Sequence, residues 1–312
     1  MRILRNMEGE MKKLLIIFIL LIFPILTHAL DYTLATDYCF IHRRDRVYVD
    51  GFFTPVAGAS IDKRGFRGSD LHYAEGAGAI FINAYPAEDH ALSFELGYSY
   101  MRLNWDQNPA FKQDHFNDAI FSIAYITTAM KQWRWVVNLG VHANLDNFNM
   151  GSNAFYTGTI WGRLAYSDPL GIHIGVVGQT GVKSTYLFPI LGFDWYFHRQ
   201  WKINAVFPLD FSLNYFFAKN WSTALSYRSF GGWYRSFHRV GKKENLPESM
   251  VSVHANGLDL GIYFNSKHFS AGVFGGANFG GWILIRNRHG AKPIYFHFDA
   301  AAYGGVKASL EF

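Results

Sequence analysis

Ile294-Tyr-Phe-His-Phe-Asp-Ala-Ala-Ala-Tyr-Gly-Gly-Val-Lys-Ala-Ser-Leu-Glu-Phe312 closes the chain, and its reading decides the fold. Counted back from the terminus, Phe312, Leu310, Ala308, Val306, Gly304, Ala302, Ala300, Phe298 and Phe296 share one face. Glu311, Ser309, Lys307, Gly305, Tyr303, Asp299 and His297 share the other. A period of two, apolar or small against polar, is the mark of a β-strand with one face in an apolar medium. A soluble sheet rarely ends such a strand on an exposed aromatic. A membrane-barrel strand calls for both features: an apolar face towards lipid and an aromatic at the interface.

The composition agrees. Aromatic residues make up 18% of the 312 and charged residues 17%, against about a quarter charged in ordinary soluble domains. Thirty glycines against nine prolines, scattered rather than clustered, suit strands whose backbones pack closely. Mean hydropathy is near zero. A helical membrane protein would be clearly apolar, whereas alternating strands average out.

The other end supplies an address. Met11-Lys12-Lys13 precedes an uncharged apolar run from Leu14 to Leu26, and Thr27-His28-Ala29 follows. A basic start, a short apolar core and a small exit residue predict a signal peptide over residues 1–29, cleaved after Ala29, with Met11 as an alternative start. The run is short and holds Pro24, which disfavours a membrane anchor. Residues 30–45 are polar and aperiodic and read as a periplasmic lead-in; the barrel is expected over 46–312. Cys39 is the only cysteine, so no intramolecular disulfide or cysteine metal site is available. The formal charge is +5. Arg2, Arg5, Lys12 and Lys13 against Glu8 and Glu10 would leave with the signal, so the mature chain would carry +3. No basic stripe accompanies it, which argues against nucleic acid as a partner.

Along the chain, alternation recurs. Val47, Val49, Gly51 and Phe53 oppose Tyr48, Asp50 and Phe52. Leu92, Phe94, Leu96, Tyr98 and Tyr100 oppose Ser93, Glu95, Gly97 and Ser99. Trp133, Trp135, Val137, Leu139, Val141 and Ala143 oppose Arg134, Asn138, His142 and Asn144. Connection lengths give an independent sign. Short links at Pro86–Asp89, Lys131–Gln132, Asp168–Gly171, His198–Gln200, Ala218–Asn220 and Asn265–His268 alternate with longer ones. The longer set includes Gly58–Asp70, Asn104–Asp114, Asp146–Asn153, Gly231–Ser249 and Asn287–Pro293. Short turns at one end and long loops at the other describe a transmembrane antiparallel β-barrel with both termini inside. The count is 14 strands. Pro208 leaves 12 as the alternative, because its connection is short and its flanking strands are shorter than the about 9–11 residues a crossing needs. A soluble sandwich would have to expose the aromatic rows to water.

The closing stretch resembles the last strand of bacterial outer-membrane β-barrels. That resemblance implies that Phe312, with Leu310, Ala308 and Val306, is an insertion signal read by the barrel-assembly machinery. Pro189-Ile-Leu-Gly-Phe-Asp-Trp-Tyr-Phe197 and Trp201-Lys-Ile-Asn-Ala-Val-Phe-Pro208 are similar to an uncharacterised family of Gram-negative outer-membrane barrels. It implies the fold, the outer membrane as location and its lipid as surroundings, and it implies no activity.

Chemistry is thin. Ser252 and His254 share a strand face, but it is the lipid-facing one; Ser236 and His238 are a second such pair. Asp106, Asp114, His115, Asp146 and His289 are loop residues with no specific spacing, and the thirteen histidines show no metal-ligand pattern. No catalytic, cofactor or metal site is expected. The inward parity is more informative. Glu75, Glu95, Arg134, His142, Arg163, Asp194, Lys202, Arg228, Asp259, Asp299 and Lys307 are expected to line the lumen. Two readings follow: charge rings along a water-filled path, or ion pairs that fill a closed interior. A lumen of 12–14 strands has room for water, so the first reading is a porin-like channel for passive diffusion of small solutes. The second is a structural or surface-interaction barrel with an occluded lumen, acting through its outer loops. A barrel hydrolase comes third.

Overall fold

The structure is a computed structural model. It describes residues 46–62, 69–105, 113–146, 148–151, 153–181, 184–236, 250–287 and 293–312. The expected signal peptide, cleavage site, lead-in and Cys39 lie outside the described residues.

Sixteen strand segments form one antiparallel sheet. They are β1 Val47–Asp62, β2 Asp70–Ala87, β3 His90–Trp105, β4 His115–Thr127, β5 Trp133–Asn144, β6 Ala154–Ser167, β7 Leu170–Gly181 and β8 Ser184–His198. Then come β9 Trp201–Phe207, β10 Asp210–Ala218, β11 Trp221–Phe230, β12 Trp233–Arg235, β13 Met250–Asn265, β14 Phe269–Arg286, β15 Ile294–Phe298 and β16 Ala302–Glu311. Segments β11 and β12 both pair with β13, and β15 and β16 both pair with β14 and β1. Each couple is one interrupted barrel strand, so the closed barrel has 14. Closure is by β1 against β16, with Val49 opposite Leu310 and Phe53 opposite Val306. The last residue takes part: Phe312 N donates to Val47 O at 2.9 Å, and Val47 N donates to Phe312 O at 3.2 Å.

The twelve-strand alternative falls at Pro208. Segments β9 and β10 pair with each other, Asp210 opposite Val206, and Leu209 N donates to Val206 O at 2.7 Å in a tight turn. The hairpin is real but low, its first strand having seven residues. The loop expected from Gly58 to Asp70 is also shorter, because β1 runs on to Asp62.

Outward residues form the belt the sequence implies. Leu96, Leu139, Leu260, Val306 and Phe312 are exposed by 65, 62, 61, 53 and 68%, which only a lipid surround makes favourable. Trp133, Trp195, Trp221 and Phe269 stand on the strand ends at the short-turn rim, where interfacial aromatics belong. Among the described residues no helix is long and apolar enough to cross a membrane.

The closing strand corrects one expectation. Asp299–Ala301 interrupts it, and the alternation changes phase there. Phe296 and Phe298, placed by simple counting on the lipid face, are 1 and 6% exposed inside the barrel. The interruption belongs to a line of them. Between Ala255 and Gly257 of β13 the β14 partner jumps from Gly281 to Asn278, and β1 shifts between Val56 and Ala59. Gly280 supplies the positive φ of +82° that such a bulge in β14 requires. Asn278 pins the line: its Oδ1 accepts from Gly280 N at 3.0 Å and Ala301 N at 2.9 Å. Bulges bend strands and increase their twist. Above this line the outer parts of four neighbouring strands pack into the lumen.

Candidate functional site: a divided lumen

The inner half of the lumen is polar. Alternation on β6, β7, β8 and β9 points Arg163, His173, Asp194 and Lys202 at one another. Arg163 Nε and Nη2 donate to Asp194 Oδ2 and Oδ1 at 2.7 and 2.9 Å, and Lys202 Nζ lies 3.7 Å from Oδ1. Trp161 Nε1 donates to His173 Nδ1 at 3.1 Å. Indole is a donor only, so Nδ1 is the acceptor and Nε2–H is left to donate to Asp194 Oδ2 at 2.8 Å. Gly171 makes the space: a Cβ there would lie 2.3 Å from Asp194 Oδ2.

A second polar group stands on β11, β13 and β16. Arg228 Nε donates to Asp259 Oδ2 at 2.8 Å, and Tyr303 OH donates to the same oxygen at 3.0 Å. The Arg228 guanidinium lies 4.0 Å from the Phe274 ring centre, and Lys307 Nζ 4.3 Å from that of Tyr263. Lys307 is exposed, and Lys202, Ser212, Asn214 and Arg228 are half-buried. Water therefore reaches this inner vestibule.

The outer half is apolar. Val56, Leu71, Met101, Leu103, Phe116, Phe230, Val251, Val253, Ile283, Ile285, Phe296 and Phe298 belong to one buried cluster drawn from β1 to β4 and from β11 to β15. Contacts cross the barrel. Phe116 on β4 and Tyr234 on β12, half-way round the strand order, have ring centres 5.2 Å apart. Gly231 N donates to Glu75 Oε2 at 3.2 Å, and Tyr73 OH donates to the same carboxylate. Gly231 adopts φ +101°, and a Cβ would lie 2.0 Å from Val253 O. The break between β11 and β12 needs that glycine. On the other side of this segment, Trp233 and Met250 cluster with Phe155 of β6, and Tyr186 of β8 packs against them.

Of the expected lumen residues, ten sit on inward-facing strand positions. Glu75 takes part in the cross-lumen contact. Glu95 accepts from Ser122 Oγ at 2.6 Å. Arg134 is half-buried, and His142 is 3% exposed. Arg163, Asp194 and Lys202 meet; Arg228 and Asp259 meet; Lys307 faces the vestibule. Asp299 does not join them: it lies exposed in the break between β15 and β16. His173, Tyr303 and the Gly231–Arg235 segment were not anticipated. His173 alternates with Ile172 and Ile174, a legible signal; the crossing segment follows no periodicity.

The catalytic candidates do not assemble. Ser252 and His254 are buried, Ser252 Oγ makes no hydrogen bond, and the His254 ring lies tilted against Trp282 with centres 4.1 Å apart. Asp146 is held by Gln113 Nε2 and Asn117 Nδ2, while His115 Nδ1 bonds Asp114 at 2.8 Å. Asp106, His238 and His289 lie outside the described residues.

Residues 82–288 match the family described as Domain of unknown function (DUF6268). An uncharacterised protein of Chlamydia pneumoniae is 24% identical over 252 residues, 74% of this chain and 77% of that protein. An uncharacterised protein of Chlamydia muridarum is 24% identical over 65% of this chain, which spans 64% of that relative's length. Among solved structures, an outer membrane channel from Pseudomonas putida F1 has a TM-score of 0.44 at 7% identity, covering 88% of this chain and 98% of that one. The toluene transporter TodX of Pseudomonas putida has a TM-score of 0.38 at 8% identity, covering 91 and 94%. The fold rests on the strand pairing described above.

Proposed function

The chain belongs to the DUF6268 family, and we propose that it is an outer-membrane, porin-like channel for small solutes whose outer half is shut in the present conformation. The observation that carries this reading is the contact of Gly231 with Glu75 across the lumen. A barrel of this strand number has interior to spare. Here a glycine-broken segment fills it, above a vestibule that water enters. Such a segment, paired with β13 and reaching the opposite wall through the Gly231 N donor and ring contacts, is a suitable gate. Export by the signal peptide and insertion through Val306, Ala308, Leu310 and Phe312 belong to the same proposal.

Single-channel recording in planar bilayers tests it. The refolded chain should be silent or open briefly, and Glu75→Ala should lengthen and multiply the openings. A structural barrel with an occluded lumen is the second reading, favoured by the buried cluster of the outer half. Silence of both proteins, with folding verified by heat-dependent gel mobility, would establish that reading and end the channel one.

A further inference from the structure

Among the described residues, the barrel wall is incomplete on one side. Segment β8 is paired with β7 from Ser184 to Trp195 but with β9 only over Leu191–His198. Segment β11 pairs with β13 through Phe230 but with β10 only as far as Tyr227 opposite Phe211. Among the described residues, only the β9–β10 hairpin stands between them, and its first strand has seven residues. At about 3.3 Å per residue and a tilt near 40°, it rises about 18 Å. The apolar band of such barrels is about 25 Å tall. The hairpin turn at Pro208–Leu209 therefore lies at hydrocarbon depth, on the long-loop side. Above it, among the described residues, no strand fills the space between β8 and β11.

What frames this notch is apolar. Leu187 is 72% exposed and Leu191 41%, both facing out. Pro189 between them is tolerated because the strand is an edge here. Inside the notch, the Tyr186 and Trp233 rings meet tilted with centres 5.5 Å apart, and Tyr186 stacks on Phe188 at 6.2 Å. Behind them, Phe188 and Leu209 pack on the buried Ile190, Val206, Val177 and Trp161. Asp194 lies four residues nearer the short-turn rim than Ile190; the charged groups nearest the notch stand at its lower edge, Arg228 turned to Asp259 and Asp210 bonded by Asn204 Nδ2 at 2.9 Å.

We infer that this notch is a lateral portal, gated by Tyr186 and Trp233, through which a hydrocarbon chain from the outer leaflet reaches the apolar half of the lumen. The occupant follows from position and lining. At the depth of the hairpin turn only hydrocarbon stands outside the wall, and only hydrocarbon gains by contact with Phe188, Ile190 and Leu209 inside, below the Tyr186–Trp233 pair. The portal goes beyond the channel reading and does not need ions to flow.

The test is photolabelling of the refolded full chain in dioleoylphosphatidylcholine vesicles doped with a phosphatidylcholine carrying a diazirine on one acyl chain. Such a probe cannot leave the bilayer for the aqueous mouths. Cross-links should fall on the inward-facing Phe188 and Leu209 as well as on the outward Leu187. Trp233→Ala should raise the inward labelling several-fold, with Tyr186→Ala as a second gate variant if the first fails to fold. Labels confined to outward residues such as Leu187, Leu191 and Leu139 in a folded barrel would overturn the portal. A barrel silent to ions but labelled inside would end the channel reading and leave the portal standing.

Discussion

Asp194 gathers more charge than any other side chain of the described lumen, and its side chain is 2% exposed. A carboxylate so placed is tolerable only because Arg163, His173 and Lys202 surround it. Taking one partner from a buried ion pair costs about 3–5 kcal/mol, since the remaining charge loses its compensation. Asp194→Ala should lower barrel stability by that amount in urea unfolding, whereas Asp194→Asn, which still accepts hydrogen bonds, should lose less. Equal stability of wild type and Asp194→Ala would show that water solvates the cluster. Trp161 gives a finer prediction. Its donation to Nδ1 fixes the Nε2–H tautomer of His173. The nitrogen NMR signals of His173 should report that tautomer alone, and Trp161→Phe should keep it, because Asp194 Oδ2 still accepts from Nε2–H, while losing about 1 kcal/mol with the indole bond. An Nδ1–H signal in the wild-type barrel would contradict this arrangement. Arg163, Asp194 and Lys202 were legible as inward residues because period-two counting needs no tertiary information. Their meeting was not, because it depends on the register between β6, β7, β8 and β9 and on the gap left by Gly171.

Most strands were legible for the same reason, and their interruptions were not. Lipid rewards one face along the whole height of a strand, so alternation persists from Leu92 to Tyr100 or from Trp133 to Val141. A bulge inverts it locally, and counting through Asp299–Ala301 sent Phe296 and Phe298 to the wrong side. Asn278 is the residue that makes the inversion tolerable, by accepting from two backbone donors that the ladder leaves over. Asn278→Ala should destabilise the barrel by about 1–3 kcal/mol, the cost of buried donors left unsatisfied. An unchanged unfolding midpoint would mean that the bulge line is held by packing alone. On the lipid face the expectation is different. Leu260 stands near the middle of β13 and is 61% exposed. Leu260→Arg should cost about 2–4 kcal/mol in bilayers, as for a basic residue at the midplane. A neutral result in vesicles would place this face outside the hydrocarbon.

As a whole, the molecule combines an apolar belt outside, notched between β8 and β11, with a divided interior. The belt could be read from the sequence, because it is a property of single strands. The division could not. Both halves use the same inward parity, and nothing in the order of residues says that Phe116 will meet Tyr234 across the barrel. Charged inward residues therefore favoured an open, charge-lined path, while the folded chain closes its outer half with hydrocarbon. Cysteine accessibility along the lumen tests that division most directly, in a Cys39→Ser background with a charged methanethiosulfonate reagent applied to the folded barrel. The account predicts rapid reaction at Lys307→Cys and Ser212→Cys in the vestibule and none at Phe116→Cys, Val251→Cys or Ile283→Cys. Reaction along the whole set would mean an open aqueous pore and would contradict it.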